Sequence, residues 1–449
     1  MKQNCQNRYR NKFRIPVFLL FLLFACISAN TQEIYDLNRC ITTGIDHNFS
    51  IMISRNRQEV ATNNFTPGNA GYLPTLSLNS KAGGTLTGTR QNLASGGEST
   101  SNGVHNISAN AGANLSWTLF NGFSVRSTYQ KLNELKLVGE LNTQMSIENL
   151  VADIVSEYYY YIQQVNLYKN LGYAVALSRE RVRIDEERYL LGSGSKLQLL
   201  QSVVYLNADS SRYSKQKEVL RASQIRLNKL MANEDIGALL IVKDTAIVIK
   251  VDLLFDQLMK ETLEKNTSLL ISKRNQTISE YDLKIISSRS YPYLDFSSGY
   301  NRSFNKYGSG SVSSQHSGAL SYGLTLGVDL YDGMNRKRET ANARLDVESK
   351  KYQYKEIEQQ VRADLLTLFY AYQNNLGLLK LEQQNLSAAR ENLEIALERY
   401  KLGNLSGLEL REVQKSYLDA EERLISVQYQ TKLAEISLLQ ISGRVMDYI

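Results

Sequence analysis

The sequence predicts a chain of long antiparallel helical hairpins joined to four transmembrane β-strands, and three observations predict it. Paired stretches alternate apolar residues with small or polar ones at period two, and two long proline-free stretches carry apolar residues at helical spacing. The whole pattern then occurs twice along the chain.

At the start, Lys2, Arg8, Arg10, Lys12 and Arg14 precede the apolar run from Val17 to Phe24, which reads as a secretory signal peptide over residues 1–31. The run is short of the roughly 20 apolar residues a membrane-spanning helix needs. Ala29-Asn30-Thr31 offers a small-x-small cleavage site, and Leu23-Phe24-Ala25-Cys26 offers the alternative of a lipobox, in which Phe24 fits poorly. An exported chain then retains only Cys40 and forms no internal disulfide. Five of the 52 basic residues lie in the leader, leaving 47 against 45 acidic residues, a balance of +2. With neither a basic stripe nor an aromatic-basic motif, nucleic acid is not a partner.

The duplication is carried by "ERYLLGSGSKL" at 187–197 and "ERYKLGNLSGL" at 398–408, which match at an offset of 211. The same offset pairs Leu119-Phe120-Asn121-Gly122 with Leu330-Tyr331-Asp332-Gly333. Nearer the start of each unit, "NFSIMISRNRQ" from Asn48 pairs with "NTSLLISKRNQ" from Asn266 at an offset of 218, so seven residues differ between Pro74 and Leu119. Length changes gather in exposed loops. The expected organisation is repeat unit 1 over 32–233, a linker over 234–250 and repeat unit 2 over 251–449.

Within each unit a β-hairpin comes first, at about 72–120 and 291–331. Leu320, Tyr322, Leu324, Leu326, Val328 and Leu330 alternate with small or polar residues, over the length of a membrane-spanning strand. Ile107, Ala109, Ala111, Ala113, Leu115, Trp117 and Leu119 repeat this in unit 1, with Leu76, Leu78, Ala82 and Leu86 ahead of a Gly/Ser-rich loop. A soluble hairpin with one buried face is the competing reading of the alternation alone. The helices follow: Leu150, Val151, Ile154, Val155, Tyr158, Ile162 and Val165 mark one apolar stripe, and the stretch from Gly122 to Tyr189 would reach roughly 100 Å as a helix. Four strands cannot close a barrel in lipid, where unpaired edges are not tolerated, so several copies must each supply a sector.

With the two-unit strand-helix layout and the paired "RYxxG" turns, the chain resembles outer membrane efflux proteins of the TolC type across essentially its whole mature length. The resemblance implies a homotrimer with a 12-stranded β-barrel in the outer membrane and a periplasmic α-helical barrel around whose equator 234–250 lies. It implies that the helical-hairpin tips at 188–197 and 399–408 meet a periplasmic adaptor protein, through Arg188, Leu191 and Gly192 in unit 1 and Arg399, Leu402 and Gly403 in unit 2. An inner-membrane pump of RND or ABC type is the implied partner beyond the adaptor.

The resemblance also maps two carboxylates of a closed periplasmic entrance onto Glu409 and Glu412, whose counterparts in unit 1 are Gln198 and Gln201. Threefold symmetry would gather six carboxylates, a cation-selective arrangement. Arg411 between them could neutralise part of that field, and an ordinary solvated charge face remains the alternative. Tyr400 matches a tyrosine that helps hold the entrance closed, but Leu405 stands where a bonding arginine is expected.

Catalysis is not expected. His47, His105 and His316 are isolated, and no zinc-ligand spacing, nucleophile elbow or phosphate loop occurs in a confirming context. No cofactor or metal is expected either. The function implied is a passive export duct for drug, metal or protein cargo. The alternative is a periplasmic coiled-coil scaffold, which would have no use for outward apolar alternation at 107–119 and 320–330.

Overall fold

The computed structural model describes residues 34–449, so the signal peptide expected over 1–31 and the lipobox at Cys26 lie outside the described residues. Two compact units make up the chain, one from residues up to Thr43, Glu157–Val248 and Gln383–Tyr429, the other from Gly44–Ser156, Ile249–Glu382 and Gln430–Ile449. In chain order the elements are β1 (Ile34–Tyr35), α1 (Leu37–His47), α2 (Phe49–Asn64), α3 (Pro67–Ala70), β2 (Thr75–Asn92) and β3 (Glu98–Asn121). There follow α4 (Ser124–Leu190), α5 (Lys196–Leu230), β4 (Ile241–Val242), α6 (Phe255–Lys265), α7 (Thr267–Ser288), β5 (Tyr293–Lys306) and β6 (Ser314–Gly327). The last are α8 (Asn335–Lys401), α9 (Gly407–Ile441) and a 3₁₀ turn at Val445–Tyr448.

α4 and α8 are each 67 residues long, and α5 and α9 are each 35. Both ends of both pairs are separated by the 211 residues that align the turns. The absence of proline keeps the i to i−4 hydrogen bonds unbroken along these helices. On α4 the stripe Leu150, Val151, Ile154, Val155, Tyr158 and Ile162 is buried, and Val165 is half-buried. Among the described residues no helix is long and apolar enough to cross a membrane.

In the second unit the four long strands form one antiparallel sheet in the order β2-β3-β5-β6. The register aligns Leu78 with Ala113, Ala113 with Tyr300 and Tyr300 with Leu320. Because side chains alternate between faces, that face also carries Leu76, Leu115, Trp117, Phe296, Tyr322, Leu324 and Leu326. On the opposite face the rungs read Ser77-Asn114-Gly299-Ser321 and Asn79-Gly112-Asn301-Ala319. Gly112 and Gly299 leave room there, since a Cβ on either would run into the cross-strand Asn301 or Asn114 side chain. Among the described residues no strand lies beside the outer edges of β2 and β6.

Three expectations about the strands change. The segment expected as a Gly/Ser-rich loop after Leu86 is still strand to Asn92, paired there with Glu98, with an irregularity at Gly88. Of the two hairpins the longer therefore has longer strands, 18 and 24 residues against 14 and 14. Leu119 does not continue the apolar face: a bulge between Thr118 and Phe120 hands the alternation to Phe120, which pairs with Leu294. Finally, β6 stops at Gly327 rather than running to Leu330, because its partner β5 begins at Tyr293 directly after Pro292, which has no N–H for the ladder.

Each sheet-to-helix junction is built the same way. Asn121 and Asp332 accept the backbone N–H of Val125 and Arg336, at 3.1 and 2.9 Å, and so cap α4 and α8. Between cap and helix, Gly122, Phe123, Gly333 and Met334 all have positive φ, from 63 to 71°. At Gly122 the geometry admits no side chain, since a Cβ would meet the Ser288 carbonyl. In the same unit Leu258 of α6, Leu365, Phe369 and Tyr372 of α8 and Leu438 of α9 form a buried apolar cluster.

Candidate functional site at the two helical turns

Both turns lie in the first unit and share one construction. Gly192 (φ 73°) and Gly403 (φ 82°) take the left-handed conformation that ends a helix. Their N–H groups reach back to the carbonyls of Tyr189 and Tyr400, while those of Ser193 and Asn404 reach Arg188 and Arg399 at 2.9 Å. This is the Schellman arrangement, and it satisfies carbonyls that the helix end leaves free. The returning helices begin with the same reciprocal cap. Ser195 and Gln198 exchange hydrogen bonds at the start of α5, and Ser406 and Glu409 do so at the start of α9.

That cap assigns Glu409 a role its sequence position did not reveal. Its carboxylate accepts from the Ser406 N–H at 2.9 Å and hydroxyl at 2.8 Å, and these two bonds hold its pKa below the usual glutamate value. Glu409 and Glu412 both face solvent. The Arg411 guanidinium makes two hydrogen bonds to Asp209 of α5, at 2.7 and 2.8 Å, and these together with the nearby Asp209 and Glu412 charges hold its pKa above the usual arginine value. The side chains are 12% and 2% exposed, respectively.

Arg188 and Tyr400, 212 residues apart, are brought together. The Arg188 guanidinium lies 4.6 Å from the Tyr400 ring centroid and donates to the Tyr400 carbonyl. Tyr400 is 1% exposed, and its hydroxyl donates to Asp185 of α4. Burial pushes its pKa up and the Asp185 hydrogen bond adds to the shift, so the phenol stays protonated. Tyr189, at the equivalent place in the first turn, is 41% exposed. Leu405 packs with Ala396, Tyr400 and Leu410, so an apolar contact stands where a bonding arginine was expected. Leu191 and Leu402 are 83% and 74% exposed and Lys196 and Arg399 face solvent, which gives both turns an apolar tip beside a basic group, Arg399 lying within electrostatic reach of Glu409.

Behind the turns lies a buried polar cluster that the sequence reading did not single out. Asp209 also accepts from the Ser178 hydroxyl at 2.5 Å. Burial raises its pKa, but the bonds from Arg411 and Ser178 outweigh that and hold the carboxyl below its usual range. Arg181 is buried, with Tyr205 stacked 4.7 Å away and one weak bond to Gln414 at 3.4 Å. Burial lowers its pKa, and the nearby Arg411 charge lowers it further. A cavity of ≈ 980 Å³ opens beside Arg181, Arg188, Tyr400 and Glu409. The internal duplication itself held a signal for this cluster: Asp185 and Asp209 stand where the second sequence repeat has Ala396 and Ala420, both buried.

Comparisons with known proteins bear on the fold and the family. Residues 258–444 match the family model described as outer membrane efflux protein. That match spans 187 of the 449 residues and marks a similarity of the second repeat to this family. Outer membrane protein TolC of Vibrio cholerae serotype O1 (strain ATCC 39315 / El Tor Inaba N16961) is 24% identical over 204 residues, 43% of this chain. The chain spans only 44% of that relative's length in the match. Among solved structures, the outer-membrane channel OprN superposes with a TM-score of 0.76 at 16% identity, covering 91% of this chain and 89% of its own. The Campylobacter jejuni CmeC outer membrane channel gives 0.77 at 16% identity, covering 91% and 85%. These identities speak to the fold: helical hairpins with four antiparallel strands per chain.

Proposed function

We propose that this chain is an outer membrane efflux protein and works as a passive export duct, three copies closing a 12-stranded β-barrel in the outer membrane with the helices extending into the periplasm. The observation that carries the proposal is the four-stranded sheet with one apolar face and two unpaired edges. Strand directions alternate across the sheet, so β2 and β6 run in opposite senses. The β6 edge of one copy can therefore pair antiparallel with the β2 edge of the next, a head-to-tail contact that repeats until the ring closes. Closure removes every edge, which lipid requires. A periplasmic coiled-coil scaffold would gain nothing from a leucine-rich sheet face turned to solvent.

In this reading the turns are the docking end. Arg399 with Leu402 and Gly403, and Leu191 with Gly192, offer exposed backbone, an apolar knob and a charge to a helical hairpin of a periplasmic adaptor. Arg188 would share in docking and would also, with Tyr400 and the Arg411–Asp209 pair, form a latch between the two helical hairpins. Glu409 and Glu412 would ring the entrance in a threefold assembly, and the first would keep its capping bond while facing the axis. An inner-membrane pump of RND or ABC type, reached through the adaptor, would select the cargo.

The test is single-channel conductance of the purified protein in a planar bilayer, with its native mass in detergent. A trimer with a small, cation-selective and mostly closed conductance is expected. A soluble monomer that never conducts would refute the duct and restore the scaffold.

A further inference from the structure

We propose that the two sheet-to-helix junctions are anchors for anionic phospholipid headgroups, each made of an exposed apolar residue at positive φ and a cation three positions later. The proposal rests on the membrane-inserted reading above. Only three non-glycine described residues have positive φ, and two of them are Phe123 and Met334, at equivalent places in the repeat. This is a conformation that L-residues avoid, so the fold must hold it against local preference. Both side chains could have been turned into the protein; instead they are 60% and 61% exposed. Three residues on, Arg126 and Lys337 face solvent. Their neighbours are satisfied internally, Arg336 by Asp332 at 3.0 Å and Arg289 by Glu339 at 2.9 Å, whereas Arg126 and Lys337 have no carboxylate partner among the described residues.

The level in the sheet identifies the ligand. The last rung joins Asn121, Tyr293 and Gly327, directly below the apolar rungs Trp117-Phe296-Leu324 and Phe120-Leu294-Leu326. The apolar face therefore ends where the junctions begin, the depth at which a bilayer changes from acyl chain to headgroup. At the second junction a cavity of ≈ 440 Å³ brings Leu330, Tyr331 and Met334 together with Lys337 and Arg344. Asp332 and Arg336 also line it but pair with each other at 3.0 Å, so Lys337 and Arg344 of α8 are the cations left to meet a ligand. One molecule satisfies both halves at once: a phospholipid with its chains on Leu330 and Met334 and its phosphate on Lys337 and Arg344.

Trp117 is the only tryptophan in the sequence and sits on the apolar face just above the junction, so it reports which lipid is adjacent. The full-length protein would be reconstituted in phosphatidylcholine bilayers containing brominated phosphatidylglycerol or brominated phosphatidylcholine, and Trp117 quenching measured. Anionic lipid is expected to associate about fivefold more strongly, the factor one basic group contributes near a membrane surface. In Arg126→Gln/Lys337→Gln/Arg344→Gln the ratio should fall to about one, with quenching by phosphatidylcholine intact as evidence of insertion. Lys306→Gln, at the other end of β5, should keep the ratio. Equal quenching in the parent, or a preference retained in the triple variant, would overturn the anchors alone. Absence of quenching by either lipid would overturn the membrane reading as well.

Discussion

Replacing Arg411 with Gln strikes the strongest ionic contact behind the turns. The change removes two short hydrogen bonds to Asp209 and leaves that 2%-exposed carboxylate with Ser178 as its main donor. Stranding one member of a buried pair costs about 3–5 kcal/mol. Gln can return one bond, so the lower end, about 3 kcal/mol, is the appropriate figure, equivalent to roughly a hundredfold in an equilibrium constant. Because the pair joins α5 to α9, that energy is lost from the contact between the two hairpins. If the entrance opens by separating them, the closed-to-open ratio should fall by about that factor, read as open-time fraction in single-channel recordings. A double variant, Asp209→Leu/Arg411→Met, removes both charges and should restore mostly closed channels, since apolar replacement of a buried pair is close to neutral. An unchanged open fraction in Arg411→Gln, or a double variant as open as the single one, would refute the latch.

Other expectations follow from the same geometry. Glu409→Gln keeps the reciprocal cap, as Gln198 does in the first turn, so combined with Glu412→Gln it should lower cation preference without loosening the helix start; unchanged selectivity would remove both carboxylates from the entrance. The pKa of Asp209 is depressed in the folded state, so its contribution to closure is complete above the ordinary aspartate value of about 4 and is lost as pH falls through the lower folded value. Open fraction should therefore stay level from about pH 5 to 8 and rise only below about pH 4, and a pH titration of conductance checks this. Arg399→Glu should weaken crosslinking to an adaptor while leaving membrane insertion intact, and undiminished crosslinking would end that docking role. Leu320→Arg, at the middle of β6 on the apolar sheet face, should cost about 2–4 kcal/mol as a charge near the bilayer midplane, seen as reduced heat-resistant trimer.

The sequence discloses the elements better than the contacts. Period-two alternation assigned the apolar face of β6 through Leu326, and the paired glycines located both helical turns, because each depends on local chain geometry alone. Alternation cannot foresee an extra residue, so Leu119 was placed on a face that the bulge assigns to Phe120. The buried cluster was hidden for a different reason. Arg181, Asp185, Asp209 and Arg411 sit on helices rich in charge, where an acidic or basic residue ordinarily signals water. Only their tertiary setting separates them from Arg183, which pairs with Glu180 and Glu187 on the exposed face of its own helix. Glu409 carries two readings at once, since a capping box and a pore-facing carboxylate call for the same residue at the same distance from the turn, and the sequence pattern disclosed only the second.

The sheet's two open edges carry a consequence for a cell that holds two versions of this chain. A ring joined β6 to β2 at every seam has no spare seam, so one subunit with a damaged edge spoils the copies on either side of it. If intact and edge-damaged subunits were made in equal amounts and mixed freely, about one threefold ring in eight would contain intact subunits alone. A lesion confined to one strand would therefore act as a dominant trait, silencing most of the sound protein along with itself.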